Sequence, residues 1–243
     1  MNFWRKYLFF FLSGLLLIGC AEDELREKQS DADFFPLLKG NYWVYDVQET
    51  QYSLSAGEQN FSYQTKLTVT DSFPNLGGGF TYVIQLSRRN DGESLFTYSG
   101  TWAARSEPNQ IVVEEGGIPF VKLAFPVVSG KKWNGNAYNT LEGEEDCGNG
   151  GTFTCDVYTI NEEPVTFELN GEIFTDAVEV VQNENQDLIV KQDIRKEVYV
   201  RNVGLASRSV TILEYCTVGD CIGQQEIENG IVSTQTLIEY GRE

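Results

Sequence analysis

The chain has 243 residues, 36 acidic against 18 basic side chains and no histidine, giving a formal charge of −18 that repels phosphate backbones and anionic head groups, so nucleic acid is not an expected partner. With Met1 the sole methionine, Ser-His-Asp and Cys-His catalysis, histidine zinc sites and His or Met haem ligation are excluded from the chain beyond its first residue. At 41% hydrophobic and 13% aromatic residues, it can still build a proper core.

Arg5 and Lys6 form a basic start, and residues 7–18 are an apolar run too short to cross a bilayer, which takes roughly 20 residues. Residues 1–19 therefore read as an export signal. The run ends in Leu17-Ile18-Gly19-Cys20, which resembles the lipobox of bacterial lipoproteins. That resemblance implies cleavage after Gly19, a diacylglycerol on the thiol of Cys20 and further acyl chains such as palmitate. Since stable anchoring takes more than one chain, a multiply acylated Cys20 makes the membrane the expected partner. Cleavage leaves 224 residues and moves the formal charge to −20.

Residues 20–33 are polar and lack a periodic apolar face, so they read as a disordered acidic tether. Glu22-Asp23-Glu24 resembles the tag that sends Bacteroidota lipoproteins to the cell surface, although an ordinary solvated tether has the same composition. Both the surface and the periplasmic face of the outer membrane stay open.

Residues 34–243 read as one β-rich domain. Phe35-Pro36 with Gly40 and Trp43 returns at identical spacing as Phe125-Pro126 with Gly130 and Trp133, an offset of 90 residues. Phe80-Thr81 echoes Phe174-Thr175, and Arg105 echoes Arg201, at slightly larger offsets, as loop insertions in a tandem duplication of residues 34–124 and 125–243 would give. Each elbow combines a proline at a strand start, a glycine turn and a tryptophan with a large apolar payload. Trp43 and Trp133 are the expected core anchors.

Period two dominates thereafter. In 61–70 the odd positions are mostly apolar and the even ones polar, as in a strand with one wet face. Similar strands are predicted over 42–50, 80–89, 93–103, 110–114, 119–125, 133–140, 156–161, 165–170, 176–183, 188–195, 197–202, 205–217 and 232–240. Turn signals such as Asn90-Asp91-Gly92, Asn170-Gly171 and Asn229-Gly230 separate them. The predicted fold is all-β and antiparallel, with two related halves forming a curved open sheet, half-barrel or sandwich.

Beyond Cys20 the four remaining cysteines are an even set in an oxidising compartment, and loop closure favours near neighbours. The expected disulfides are Cys147–Cys155 and Cys216–Cys221, each across the end of a hairpin. Their spacing matches no zinc pattern. Glu142, Glu144, Glu145, Asp146 and Asn149 crowd one loop but lack EF-hand spacing, so they read as solvated, with calcium the alternative. No metal and no cofactor are predicted.

The two elbows, Ile173-Phe174-Thr175-Asp176-Ala177 and residues 198–205 together resemble a group of Bacteroidota outer-envelope lipoproteins that has no assigned activity. The resemblance covers most of residues 34–213. It implies a lipid-anchored all-β domain and supplies no catalytic residues.

Gly77-Gly78-Gly79 lacks the Lys-Ser/Thr of a phosphate loop, and Gly204-Leu205-Ala206-Ser207-Arg208 lacks the second glycine of a nucleophile elbow, so neither marks a site. Two readings follow: a non-enzymatic binding or scaffold module holding a lipid or glycan, and a glycosidase-type enzyme built on two carboxylates that the sequence cannot select. Tyr42, Tyr45, Trp102 and Trp133 could form a sugar platform, although aromatics in strands usually belong to a core. Metabolic fatty-acid labelling should mark the wild-type protein and be lost in Cys20→Ser.

Overall fold

The computed structural model describes residues 30–90, 93, 95–141, 143, 145–146 and 154–243, of which 145–146 and 154–155 are described by backbone alone. Alternation of apolar and polar residues becomes β1 (Asn41–Ser53), β2 (Gly57–Pro74), β3 (Phe80–Asn90), β4 (Thr97–Glu107), β5 (Gln110–Glu115) and β6 (Ile118–Ala124). The chain continues with β7 (Lys132–Asn134), β8 (Glu145–Asp146), β9 (Thr154–Cys155), β10 (Val157–Ile160) and β11 (Val165–Leu169). Last come β12 (Glu172–Asp187), β13 (Lys191–Val200), β14 (Gly204–Tyr215) and β15 (Ile227–Arg242). Helical structure among the described residues is limited to two short 3-10 segments, Asp31–Phe34 and Gly219–Cys221.

Thirteen strands form one antiparallel sheet in the order β6-β5-β4-β3-β2-β1-β15-β14-β13-β12-β10-β7, with β11 added to β12; β8 and β9 pair separately. Chain neighbours are mostly sheet neighbours, and pairing of β1 with β15 joins the two ends of the chain. The sheet's own ends, β6 and β7, meet where the Val121 amide donates to Gly135 and Trp133 Nε1 donates to Val121 O, both close to 2.8–2.9 Å. The result is a nearly closed barrel, between the half-barrel and the sandwich predicted. Six strands of its main path precede the Phe125-Pro126 elbow and six follow it, with Phe80 and Phe174 on the third strand of each set.

One end of the barrel is sealed. Ser30 caps the Asp31–Phe34 turn in a reciprocal capping box, so residues 30–33, read as tether, form a defined turn. Phe34 and Leu37 are buried among the barrel's inward residues, Phe35 lies against Tyr199, and Arg201 stacks 4.2 Å over Phe34 while its Nη1 donates to Ser30 O. The elbow glycines Gly40 and Gly130 take φ of +90° and +73°, which a side chain would resist. Trp43 is buried and its Nε1 donates to Val203 O; Trp133 is half-buried and meets Tyr158 edge-on at 6.0 Å. Gly204, at φ +106°, leaves the room Trp43 occupies, since a Cβ there would stand 3.1 Å from the indole nitrogen.

Three strand predictions need correction. The strand expected over 133–140 stops at Asn134, because Asn134 Oδ1 accepts the Asn136 amide and starts a turn. The apolar run Leu188-Ile189-Val190 is not a strand start but the exposed tip of the β12–β13 hairpin, where Asp187 Oδ1 takes the Ile189 amide. The strand expected from 93 begins at Thr97.

Because Trp43 combines a buried ring with a buried hydrogen bond, Trp43→Ala should cost about 3–5 kcal/mol. Thermal unfolding should show a larger drop for Trp43→Ala than for Trp133→Ala, whose ring is only half-buried.

Candidate functional site

Midway along the barrel, four charges meet across its interior. Glu115 on β5, Lys122 on β6, Glu197 on β13 and Arg208 on β14 come from opposite sides of the strand order. Lys122 Nζ lies 2.9 Å from Glu197 Oε1 and 3.1 Å from Glu115 Oε1. Arg208 donates through Nε to Glu197 at 2.7 Å and through Nη2 to Glu115 at 2.6 Å. Two cations and two carboxylates leave the quartet neutral, the condition under which buried charges survive. Tyr199 donates its hydroxyl to Glu197 Oε2 at 2.6 Å, completing that carboxylate's partners.

Local geometry explains how Lys122 gets there. Ile111 pairs with Leu123 and Val112 with Val121, so Lys122 falls in a break of register opposite neither. Such a bulge re-aims a side chain. Residues 121–124 are consequently all buried, including the lysine. Period-two reading assigns Lys122 to a wet face and could not have found it.

Burial alone would raise the Glu197 pKa, but the Lys122 and Arg208 charges and the Tyr199 and Lys122 hydrogen bonds outweigh it and hold the carboxyl well below its ordinary range. Burial pushes the Tyr199 hydroxyl far up, with the Glu197 charge adding to the effect, so it stays a donor. Arg195 forms a second strut nearer the open end, 2.6 Å from Asp156 and 2.7 Å from Asp193.

Above the quartet the walls differ in height. β5, β6, β7 and β10 have 6, 7, 3 and 4 residues, whereas β1, β2, β12 and β15 have 13, 18, 16 and 16. β5 stops at Glu115, so beyond the quartet the tall wall continues as a scoop. A concavity of about 270 Å³ lies there, with Val47, Leu67, Leu86, Trp102, Val210 and Ile231 as apolar lining. Glu49, Tyr63, Thr65, Ser233 and Gln235 add polar groups, and Arg208 is shared with the quartet. Tyr63 donates to Glu49 at 2.9 Å, Arg88 stands 3.6 Å over its ring, and burial followed by the Glu49 bond pushes its pKa up to about 12. Below the quartet, a space of about 20 Å³ between Phe35, Trp43, Tyr45 and Tyr199 has room for little more than one water.

The glycosidase reading required two carboxylates flanking room for a sugar. Glu115 and Glu197 do share one lysine, but both are engaged by cations and the buried space beside them is that 20 Å³ void. A larger groove of about 570 Å³ opens where β10 and β12, paired only at Thr159–Val181 and Ile160–Val180, part company. Along that stretch of β12 the amides of Asn185 and Asp187 donate to the side chains of Asn183 and Asn185, which leaves them unavailable for an added strand.

The residues singled out by sequence are dispersed. Cys216 and Cys221 form a disulfide with Cα atoms 5.8 Å apart. They do not face each other across a hairpin: the Cys216 amide pairs with Glu226, and Cys221 sits in the Gly219–Cys221 turn, so the bond pinches an eleven-residue loop from within. Cys20 and Cys147 lie outside the described residues; Cys155 is described only as backbone in β9, opposite Glu145. Glu142, Glu144 and Asn149 are likewise outside, as are the side chains of Glu145 and Asp146. Gly77, Gly78 and Gly79 form the β2–β3 hairpin loop, closed by Asn75 Oδ1. The proposed aromatic platform separates: Tyr45 is buried and bonded to Leu205 O, Tyr42 bonds Glu239 at the surface, Trp133 lies at the β6–β7 seam and Trp102 lines the scoop.

No family model matches the chain, and no curated protein matches it significantly. Two solved structures are similar in fold. One is a Bacteroides fragilis NCTC 9343 protein with a YmcC-like fold, thought to be exported, with 12% identity, a TM-score of 0.42 and coverage of 86% of this chain and 99% of its own. The other is a Parabacteroides distasonis ATCC 8503 protein thought to be a lipoprotein, with 13% identity, a TM-score of 0.40 and coverage of 86% and 98%.

The depressed pKa of Glu197 fixes an acid-side prediction. Stability from this carboxylate is complete above its unfolded value, about 4.3, and is lost as pH falls through the lower folded value. Urea unfolding from pH 5 down to pH 2 should show this loss, with a shallower acid limb in Glu197→Gln. Lys122→Met, which leaves two carboxylates sharing one cation, should cost about 3–5 kcal/mol at pH 7.

Proposed function

We propose that this chain is a non-enzymatic binding module of the outer envelope, anchored through acylated Cys20 and holding a ligand in the scoop above the charge quartet. The observation that carries the reading is the asymmetry of the barrel: one end is filled by Phe34, Phe35 and Leu37, and the other presents a lined concavity. Pockets that are concave, mostly apolar and furnished with a few polar groups are the usual form of a small-molecule site. The lipobox-like Cys20, the polar stretch after it and the local Cys216–Cys221 disulfide all suit an exported protein.

Ser30, where a tether from Cys20 would join the barrel, lies on the sealed end, so the scoop is at the end opposite that attachment point. A ligand seated there is offered to the space beyond the protein. We also read the two six-strand meanders as descendants of one ancestral unit, each opened by a Phe-Pro elbow and a tryptophan.

Native mass spectrometry of the mature protein purified from its own envelope tests the reading. A bound small molecule should accompany the wild-type protein and be depleted in Ile231→Trp, which narrows the scoop. Equal loading of the two proteins would remove the scoop as the ligand seat.

A further inference from the structure

We infer that the scoop takes a single slender aliphatic chain carrying an uncharged, hydroxyl-type head. The inference rests on the reading of the scoop as a ligand seat and adds the chemistry of the ligand. Three observations carry it.

The first is size. At about 270 Å³ the concavity sits just below the range of roughly 300–1,000 Å³ usual for ligand pockets, so a single chain fits better than a polycyclic body. The second is lining. Val47, Leu86, Trp102, Val210 and Ile231 come from five strands and present apolar surface, which rewards each methylene removed from water. The third is charge. Arg208, the cation at the base, is already engaged by Glu115 and Glu197 and so is not free to recruit an anion. Glu49 accepts from Tyr63 through one oxygen and from Gln51 through the other, so each oxygen already has a donor, and the Arg88 guanidinium stacked on the Tyr63 ring adds a positive charge at the same rim. Thr65, Ser233 and Gln235 remain as uncharged donors and acceptors, matched to hydroxyls. The chain's formal charge of −18 further disfavours a carboxylate or phosphate head.

The test is displacement of the neutral fluorophore N-phenylnaphthylamine from the purified mature protein by hexanol, octanol, decanol and dodecanol. Affinity should tighten about fourfold per added methylene until the scoop is full, then level off. Dodecanoate should bind about tenfold or more weakly than dodecanol. Val210→Trp and Ile231→Trp, on neighbouring strands of the half-exposed scoop wall, should each weaken decanol binding at least about tenfold while leaving the far-UV spectrum and melting temperature in place.

Affinity independent of chain length in the wild-type protein would overturn the inference, and that measurement needs no variant to fold. Dodecanoate binding more tightly than dodecanol would overturn the uncharged head. Saturable binding of a maltooligosaccharide that is abolished by Val210→Trp, with no alkanol binding, would overturn the aliphatic ligand and leave the seat itself standing. Alkanol binding unchanged in both folded tryptophan variants would overturn the scoop as the place of binding.

Discussion

A nearly closed sheet of this breadth must fill its lumen, and at its middle this barrel does so with charge. Lys122 and Arg208 each reach both Glu115 and Glu197, tying β5 and β6 to β13 and β14 across the interior. The arrangement is neutral and its key carboxylate accepts from Lys122, Arg208 and Tyr199, so the desolvation penalty that would expel a lone charge is offset locally. Breaking any one member would leave an uncompensated charge. The quartet therefore acts as a strut that sets how far apart the walls stand.

That strut also divides the lumen into two levels. Beneath it, Phe34, Leu37, Trp43, Tyr45 and Tyr199 pack to near-complete burial, and the Asp31–Phe34 turn closes that end. Above it the short strands stop and only the tall wall continues, so apolar side chains such as Val210 and Ile231 lose their facing partners and become the lining of a concavity. The packed core and the open concavity thus occupy different levels of one lumen. Such separation lets the open end vary without disturbing the packed end.

Edges are managed as well. The sheet's first and last strands meet at the β6–β7 seam, where Trp133 bonds Val121, and the part of β12 that leaves β10 engages its own amides with Asn side chains. Exposed β-strand edges recruit other chains, and both devices reduce that hazard. The cost is a sequence rich in Asn and Asp within a strand, where propensity alone argues against them. Residues 183–187 form a strand because β13 pairs them from the other side.

Local chemistry was legible in the sequence because it depends on residues close together in the chain. Period two identified strands, glycine and proline identified the elbows, and short loop closure paired Cys216 with Cys221. Strand ends were less legible, as at Asn134 and at Leu188-Ile189-Val190, because a side chain bonding its own backbone outweighs propensity there. The charge quartet had no local signature at all: its members span 115 to 208, its lysine enters through a bulge, and among 36 carboxylates none announces a partner. By itself the sequence determined an all-β chain and a turn-punctuated meander, since each follows from composition and near-neighbour sterics. Only the tertiary structure decided that the sheet nearly closes, that four distant charges meet inside it and that one end stays open, because those outcomes depend on which strands face each other across the lumen.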